Sequence, residues 1–306
     1  IRDLLAETTA IEGHAPIGEH KMAHLAVGAK DWDGILVRDG VRLIGYAHLR
    51  WNPVGSDPRV AVELVVHPAH RDRGVQAALL DATRATVARS GGGRLFLWVH
   101  RVEDARDTLA HRMGFEIQRE LAFMRRPARP APKVGTLPPG VTVRTYDGPQ
   151  DDEAFLEINN AAFPDHPENG GWDVAEFAAR RDLAWFDPDG LFLAFDEQGK
   201  PMGVHWTKWH THEGKTVPHG PLGEVYVLAV HPRAQGTGLG RLLLRLGMRH
   251  LAARSDSIVL YVDCAADGPV ALYRSEGFEV AYREVCYVAE VPPAQAAPRA
   301  LLRPAG

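Results

Sequence analysis

The sequence predicts an α/β (α+β) protein built from two tandem domains, each a helix-flanked mixed sheet. Three observations support this. At 306 residues the chain exceeds what one core usually serves, so two domains are expected. Strand-like and helix-like patterns alternate along both halves. The halves also repeat: Val66-His67-Pro68 lies 164 positions before Val230-His231-Pro232, and the same offset pairs Arg71 with Gln235 and Gly74 with Gly238. Gly114-Phe115 precedes Gly277-Phe278 by 163 positions, and Ile44-Gly45 echoes Met202-Gly203.

In the first half, residues 4–9 and 17–27 carry helical spacing, with Pro16 between them. Residues 34–38 and 41–49 are strands joined by Asp39-Gly40, a hairpin signal. A strand at 60–67, a helix at 74–89, a strand at 94–99 and a helix at 105–112 follow, and another strand starts at Phe115. Pro127, Pro130, Pro132, Pro138 and Pro139 exclude a helix or central strand and predict a semi-rigid linker. The pattern then restarts, with a strand at 141–146, helices at 151–162 and 174–181, and strands at 191–195 and 201–209. A strand at 223–230, a helix at 238–253, a strand at 257–262, a short helix at 270–275 and a strand at 278–288 complete it. The expected domains are therefore 1–126 and 141–291, separated by the linker 127–140 and followed by a tail, 292–306.

Bulk composition narrows the function classes. Apolar residues make up 45% and charged residues 24%, as in soluble globular proteins. A formal charge of −4 gives no general attraction to nucleic acid or to an anionic membrane, so neither is expected as a partner. No apolar run approaches the ~20 residues of a membrane span, and no secretory signal is visible. Cys264 and Cys286 are the only cysteines, too few for a disulfide framework or a thiolate metal site. A cytoplasmic monomer acting on a small molecule is the expectation.

The stretch Gly223-Glu224-Val225-Tyr226-Val227-Leu228-Ala229-Val230-His231-Pro232, then Arg233-Ala234-Gln235-Gly236-Thr237-Gly238-Leu239-Gly240-Arg241, reads as strand, glycine turn and helix. Leu239, Leu242, Leu243, Leu246 and Leu251 supply the packed helix face. Glycines strip bulk from the turn, so the unpaired amides and positive dipole of the helix start form an anion site. Neither the G-x-G-x-x-G nor the G-x-x-x-x-G-K-[ST] pattern is present. Gln235-x-x-Gly238-x-Gly240 after Val-His-Pro, with the downstream Tyr273-x-x-x-Gly277-Phe278, resembles the acetyl-CoA loop of the GNAT superfamily of N-acetyltransferases.

That resemblance implies the GNAT fold twice, each domain a mixed, mostly antiparallel sheet flanked by helices, with acetyl-CoA as co-substrate. It implies backbone contacts to the pantetheine and thioester from Leu228, Ala229 and Val230, and a pyrophosphate seat on Gln235, Gly236, Thr237, Gly238, Leu239, Gly240 and Arg241. Asp267, Gly268 and Val270 are further cofactor contacts, although Cys264-Ala265-Ala266 stands where the family has Ser-Asp-Asn. Glu224 is expected as general base and Tyr273 as general acid towards the departing sulfur. Even spacing would put Glu224, Tyr226 and Leu228 on one nominal strand face, subject to the bulge that the resemblance implies in this strand. At the shared offsets the first half has Val60 for Glu224, Gln76 for Gly240 and Ala110 for Tyr273. It is expected to be catalytically silent. The family's second groove would fall on Leu64, Val65 and Val66, with Gln76 standing against its use.

A narrower likeness spans nearly the whole chain. Thr8-Thr9-Ala10, Ala15 to Glu19, Asn159-Asn160-Ala161-Ala162-Phe163, Pro167-Glu168-Asn169-Gly170-Gly171-Trp172, Trp185-Phe186-Asp187-Pro188-Asp189-Gly190 and His205-Trp206-Thr207-Lys208 are similar to the mycothiol synthase family. The implied reaction moves acetyl to the cysteinyl amine of cysteinyl-glucosaminyl-inositol. The implied acceptor contacts are Glu19, Glu168, Lys208, Glu224 and Tyr261. Other small-amine acetyltransferases, or a non-catalytic CoA-binding sensor, are the alternatives. His210-Thr211-His212, with His205 and His219 nearby, invites a metal reading. No carboxylate or thiol pattern completes a tetrahedral set, so a solvated hairpin and no metal are expected. Arg241, Arg245 and Arg249 are expected on a solvated helix face.

Overall fold

The computed structural model describes residues 1–13, 16–17, 32–54, 57–164, 170–210 and 221–294. Its elements are, in order, α1 (Arg2–Glu12), β1 (Trp32–Asp39), β2 (Arg42–Val54), β3 (Asp57–Val66), α2 (Val75–Arg89), β4 (Gly93–Val102), α3 (Leu109–Arg112) and β5 (Glu116–Pro127). The second series is β6 (Thr142–Thr145), α4 (Asp152–Ala162), α5 (Val174–Arg181), β7 (Leu191–Phe195), β8 (Pro201–His210), β9 (Leu222–Val230), α6 (Leu239–Leu251), β10 (Ser257–Asp263), α7 (Asp267–Ser275) and β11 (Glu279–Val291). The helix expected at 17–27 lies outside the described residues apart from Ile17. Among the described residues no helix is long and apolar enough to cross a membrane.

Two compact units emerge. Unit 1 holds residues 1–121 and 282–306, and unit 2 holds residues 122–281. The sequence expectation cut the chain near 127 and kept the last strand with the second half. Instead β5 begins in unit 1 and ends in unit 2, and β11 does the reverse. Periodicity marks a strand but not the sheet that receives it. The proline-rich segment belongs to unit 2, where Val134, Gly135 and Leu137 line a cavity with Val143, Phe192, Leu242 and Leu246.

Each unit repeats one pairing pattern. In unit 1, β1/β2 and β2/β3 are antiparallel, β3/β4 is parallel, and β11 closes antiparallel on β4. In unit 2, β6/β7, β7/β8 and β8/β9 are antiparallel and β9/β10 is parallel, with the end of β5 beside β10. The single parallel pair of each unit is bridged by a helix, α2 or α6, as a parallel connection requires. Helix α2 buries Val75, Leu79, Leu80 and Val87. Helix α6 buries Leu239, Leu242, Leu243, Leu244, Met248 and Leu251.

The opposite face of the unit 2 sheet is covered by aromatic packing. Phe155 of α4 stacks on Phe177 of α5 at 4.1 Å, and Trp206 of β8 meets both edge-on at 5.5 and 5.4 Å. The Trp-Phe-Asp-Pro-Asp-Gly motif builds the tight turn into β7. Asp187 accepts the amide of Asp189 at 3.1 Å, and its other oxygen takes the ring N–H of Trp209 at 3.4 Å. Gly190 must lack a side chain, because a Cβ there would collide with the Thr207 hydroxyl. Asn160 holds Trp172 through both backbone groups, at 2.8 and 3.0 Å.

Candidate active site

Strands β9 and β10 part company early. Their parallel ladder runs only Ser257↔Leu222, Ile258↔Gly223 and Val259↔Glu224. From Val225 onward, β9 is laddered on its β8 side alone. In such a strand alternate residues turn their backbone N–H and C=O towards the open side, so donors and acceptors line the gap. Leu228, Ala229 and Val230 lie on this unzipped stretch. The β8 register also slips between Trp206 and Thr207, which pair with Val227 and Val225 and leave Tyr226 as the extra residue of a bulge.

The bulge reverses which side chains face which layer. Before it, Val225 packs with Leu244, Met248 and Leu251 of α6. After it, Val230 packs with Leu239 and Leu243 of α6, joined by Leu228, while Val227 and Ala229 join the Trp206 cluster. The bulge expected in this strand thus qualifies the nominal alignment of Glu224, Tyr226 and Leu228. Glu224 and Tyr226 share the aromatic face, but Leu228 has crossed to the helix face.

Glu224 sits at the last rung of the parallel ladder, its carboxylate 11% exposed. Directly across β8 stands Lys208. Its ammonium lies over the rings of Trp185 at 5.0 Å and Tyr226 at 5.5 Å, a cation–π seat. His210, two residues along, puts Nε2 at 2.7 Å from Glu224 Oε2. The solvated-hairpin expectation fails for His210, which is half-buried and bonded. It fails for His205 too, which is fully buried with Nδ1 2.7 Å from the Leu243 carbonyl. Burial drives the His205 pKa down to about 4, and the histidine stays neutral. His212 and His219 lie outside the described residues, as do Glu19 and Glu168.

The turn after β9 shows why Val-His-Pro recurs. The His231 ring accepts the Arg233 amide at 3.3 Å and Pro232 opens a short 3-10 turn, Pro232–Ala234; His67 caps Ala69 in the same way at 3.2 Å. Gln235 is then extended, and Gly236 and Gly238 take φ of 78° and 85°. No atom lies within 4 Å of where a Cβ would stand on either, so conformation and not crowding demands glycine there. Gly238 caps α6 without a side-chain bond, and the Leu239 amide reaches only the Thr237 hydroxyl, at 3.4 Å. The amides of Gly240 and Arg241 start the helix without i−4 carbonyls, the anion-ready end of a helix. Gly240 is helical, and an added Cβ would merely touch Val230 at 3.4 Å. The fold does not require glycine at 240.

Unit 1 shares the His cap and a left-handed helix-capping glycine, Gly74 at φ 75°, but differs in the ladder, the bulge and the turn. Its parallel ladder continues from Arg59 to Glu63, reaching the offset equivalent of Val227, and its β2/β3 register has no bulge. Its 3-10 segment runs the full Pro68–Arg73, so the positions equivalent to Gln235, Gly236 and Thr237 are wound up instead of opened out. Arg71 pairs with Glu12 at 2.5 Å. Val65 is buried with Leu4, Leu5 and Tyr46, and Val66 belongs to the main unit 1 core.

Other expected site residues divide. Tyr273 is buried in the α6/α7 core with its ring edge-on to Phe278 at 5.9 Å, and burial pushes its pKa up to about 12. Asp267 and Gly268 are exposed at the start of α7, and no atom lies near a Cβ added at Gly268. The α7 helix begins at Asp267, three residues earlier than expected, which brings Val270 into its first turn. Tyr261 is 43% exposed and packs on Phe123 at 4.9 Å. The arginine face of α6 is corrected: Arg241 and Arg245 both engage Glu276, whose carboxylate is 4% exposed. Burial would raise the Glu276 pKa, and hydrogen bonds from Arg245 and Arg241 overcome that and lower it. Sequence reasoning missed Glu276 and gave His210 to a solvated hairpin, because neither lies within a recognisable spacing of its partner. Among the described residues no His/Cys/Asp/Glu group is arranged to hold a metal.

Comparison with known proteins agrees with this geometry. The profile of the Acetyltransferase (GNAT) family matches residues 5–115 and 153–278. The mycothiol acetyltransferase of Mycobacterium sp. (strain MCS) is 41% identical over 296 residues, covering 94% of this chain and 93% of its own. The protein of that name from Mycolicibacterium smegmatis is 42% identical over 294 residues, covering 94% of each. Among solved structures, a GCN5-related N-acetyltransferase from Sphaerobacter thermophilus matches with TM-score 0.68 at 20% identity, over 96% of this chain and 93% of that one. A tandem GNAT protein from the clavulanic acid biosynthesis pathway matches with TM-score 0.66 at 20% identity, over 95% and 94%. The last two speak for the fold alone. The splayed strands, the bare helix start and the full-length likeness have one reading: the chain is an acetyltransferase of the GNAT family and belongs, within it, to the mycothiol acetyltransferases.

Proposed function

We propose that the chain transfers acetyl from acetyl-CoA to the cysteinyl amine of cysteinyl-glucosaminyl-inositol, in the cleft of unit 2, and that unit 1 is catalytically silent. The observation that carries this is Glu224. A nearly enclosed carboxylate stands at the point where β9 and β10 separate, on the strand that leads into the bare α6 start. The relatives' name supplies the acceptor class.

Acetyl-CoA, when bound, supplies the acetyl group as a thioester. The residues present fit it: the open amides of α6, glycines at 236 and 238 held by their φ, and a glycine at 240 that the fold does not need. The pyrophosphate would rest on residues 235–241 and the pantetheine along 228–230, with Asp267, Gly268 and Val270 beside it. A backbone donor directed at the thioester oxygen contributes about 3 kcal/mol to lowering the barrier. Glu224 accepts the proton that the acceptor's ammonium must shed before its nitrogen can attack, worth roughly 10²–10⁴ in rate. Tyr273, a phenol protonated at neutral pH whose pKa burial raises further, would hold a proton for the departing thiolate. Lys208 and Tyr261 offer hydrogen bonds to a hydroxyl-rich acceptor, and Glu19 and Glu168 are assigned the same role.

The test is thiol release from acetyl-CoA against a panel of amines. Release specific to cysteinyl-glucosaminyl-inositol is expected, with Glu224→Gln losing most turnover while acetyl-CoA still binds. No release with any amine would overturn the enzyme reading, and undiminished Glu224→Gln turnover would overturn the role of that carboxylate.

A further inference from the structure

We infer that His210 is a positioning residue for the reaction, fixing the Glu224 carboxylate by donating a hydrogen bond from Nε2 to Oε2. The inference rests on Glu224 being the proton acceptor. The sequence expectation gave His210 only a place on a solvated hairpin.

The geometry is specific. Lys208 is the residue directly opposite Glu224 in the β8/β9 ladder, and its ammonium lies over Trp185 and Tyr226. His210, one step diagonal in the ladder and opposite Leu222, reaches the carboxylate at 2.7 Å. Among the described residues this is the sole hydrogen bond to Glu224. One oxygen is thereby held, and the other is left for the incoming ammonium. A carboxylate on a strand swivels about its last torsions unless something anchors it. A base must present its lone pair within about 3 Å of the proton it takes, so a swivelling carboxylate is a weaker base in effect. The imidazole is 34% exposed against 11% for the carboxylate, so the anchor comes from the cleft rim towards a more enclosed acid. The Tyr226 bulge keeps Glu224 and Tyr226 on the aromatic face that also carries Lys208 and His210, which makes the contact possible.

The experiment compares His210→Ala, His210→Phe and His210→Gln with wild type and with Glu224→Gln, using acetyl-CoA and cysteinyl-glucosaminyl-inositol and following thiol release. Ala and Phe remove the donor, whereas a glutamine amide nitrogen can occupy the place of Nε2. The expected result is a 10- to 100-fold fall in kcat for Ala and Phe, an unchanged KM for acetyl-CoA, and recovery to within about fivefold for Gln. In the Glu224→Gln background, His210→Ala should change little more, since the anchored group is already gone. Thermal midpoints show whether each variant is folded; if Ala proves unstable, the Phe and Gln pair decides alone. Equal kcat for wild type, Phe and Gln, with Glu224→Gln inactive, overturns the inference and leaves the proposed base standing. Full activity of Glu224→Gln overturns the base itself, and the inference with it.

Discussion

Gly240→Gln installs in unit 2 the residue that unit 1 carries at the matching position, and its two effects should have opposite signs. The protein has no steric objection, since the new Cβ would meet only Val230 at 3.4 Å, an ordinary contact. Replacing a helical glycine by glutamine gains about 0.5–1 kcal/mol of helix propensity. The thermal midpoint should therefore hold or rise by a degree or two. Ligand binding should move the other way. A side chain on the first turn of α6 stands where the pyrophosphate would approach the amides of Gly240 and Arg241. Losing one charge-assisted hydrogen bond there costs about 1.5–3 kcal/mol, which is roughly 10- to 150-fold in affinity. The assay is the KM for acetyl-CoA in thiol release, with thermal unfolding run in parallel. An unchanged KM would refute the phosphate seat. A midpoint lowered by many degrees would refute the claim that the fold tolerates a side chain at 240. The converse change, Gln76→Gly, should restore nothing, because Pro68–Arg73 stays wound.

Other expectations are independent of that one. In unit 1 burial lowers the His100 pKa, but Glu284 at 3.2 Å and Glu63 at 3.7 Å outweigh it and raise it to about 9. A folded pKa above the unfolded value near 6.5 means stability fully present below pH 6.5 and lost as pH climbs through 9, up to about 3 kcal/mol. His100→Gln should flatten the fall of the unfolding midpoint between pH 6.5 and 9.5, and an unaltered slope would count against the triad. His205, depressed to about 4, works in the opposite window: its contribution is present above pH 6.5 and lost as pH falls towards 4. Gly247→Ala should cost about 1–3 kcal/mol or more, because the new methyl would strike the buried His205 ring; a midpoint within a degree of wild type would refute it. Tyr273→Phe should leave the midpoint within a degree or two, since no described residue hydrogen-bonds the phenol oxygen, yet lower kcat at least tenfold. A normal kcat would make Tyr273 a packing residue only.

Much of this is legible in the sequence. The 164-residue offset identified β3 with β9 and the His-capped turns with each other, because an imidazole cap followed by proline is a local device written in adjacent residues. Helix α5 and strand β7 fall where periodicity put them, at Val174–Arg181 and Leu191–Phe195. The glycine turn was readable since positive φ leaves its signature in residue type. Contacts between residues distant in the chain left no such trace. The Glu276 clamp on Arg241 and Arg245 depends on where α7 ends against α6, and the His210–Glu224 bond depends on a β8/β9 register set by a one-residue bulge. That same bulge, implied by the family resemblance but not located by it, moves Leu228 off the face of Glu224, since a period of two holds only while the pairing is unbroken.

The make-up of unit 1 bears on how the chain is born. Its sheet is completed by residues 283–291, which pair with β4 and emerge from the ribosome after everything in unit 2. The later-encoded body, continuous from 122 to 281, has all its strands available first, while the amino-terminal body must wait with the β4 edge bare. A fragment stopping at residue 121 should consequently be aggregation-prone, whereas supplying the 282–306 peptide in trans gives that edge its missing neighbour. Order of synthesis and order of folding should therefore be inverted in this chain, with unit 1 the one kept waiting.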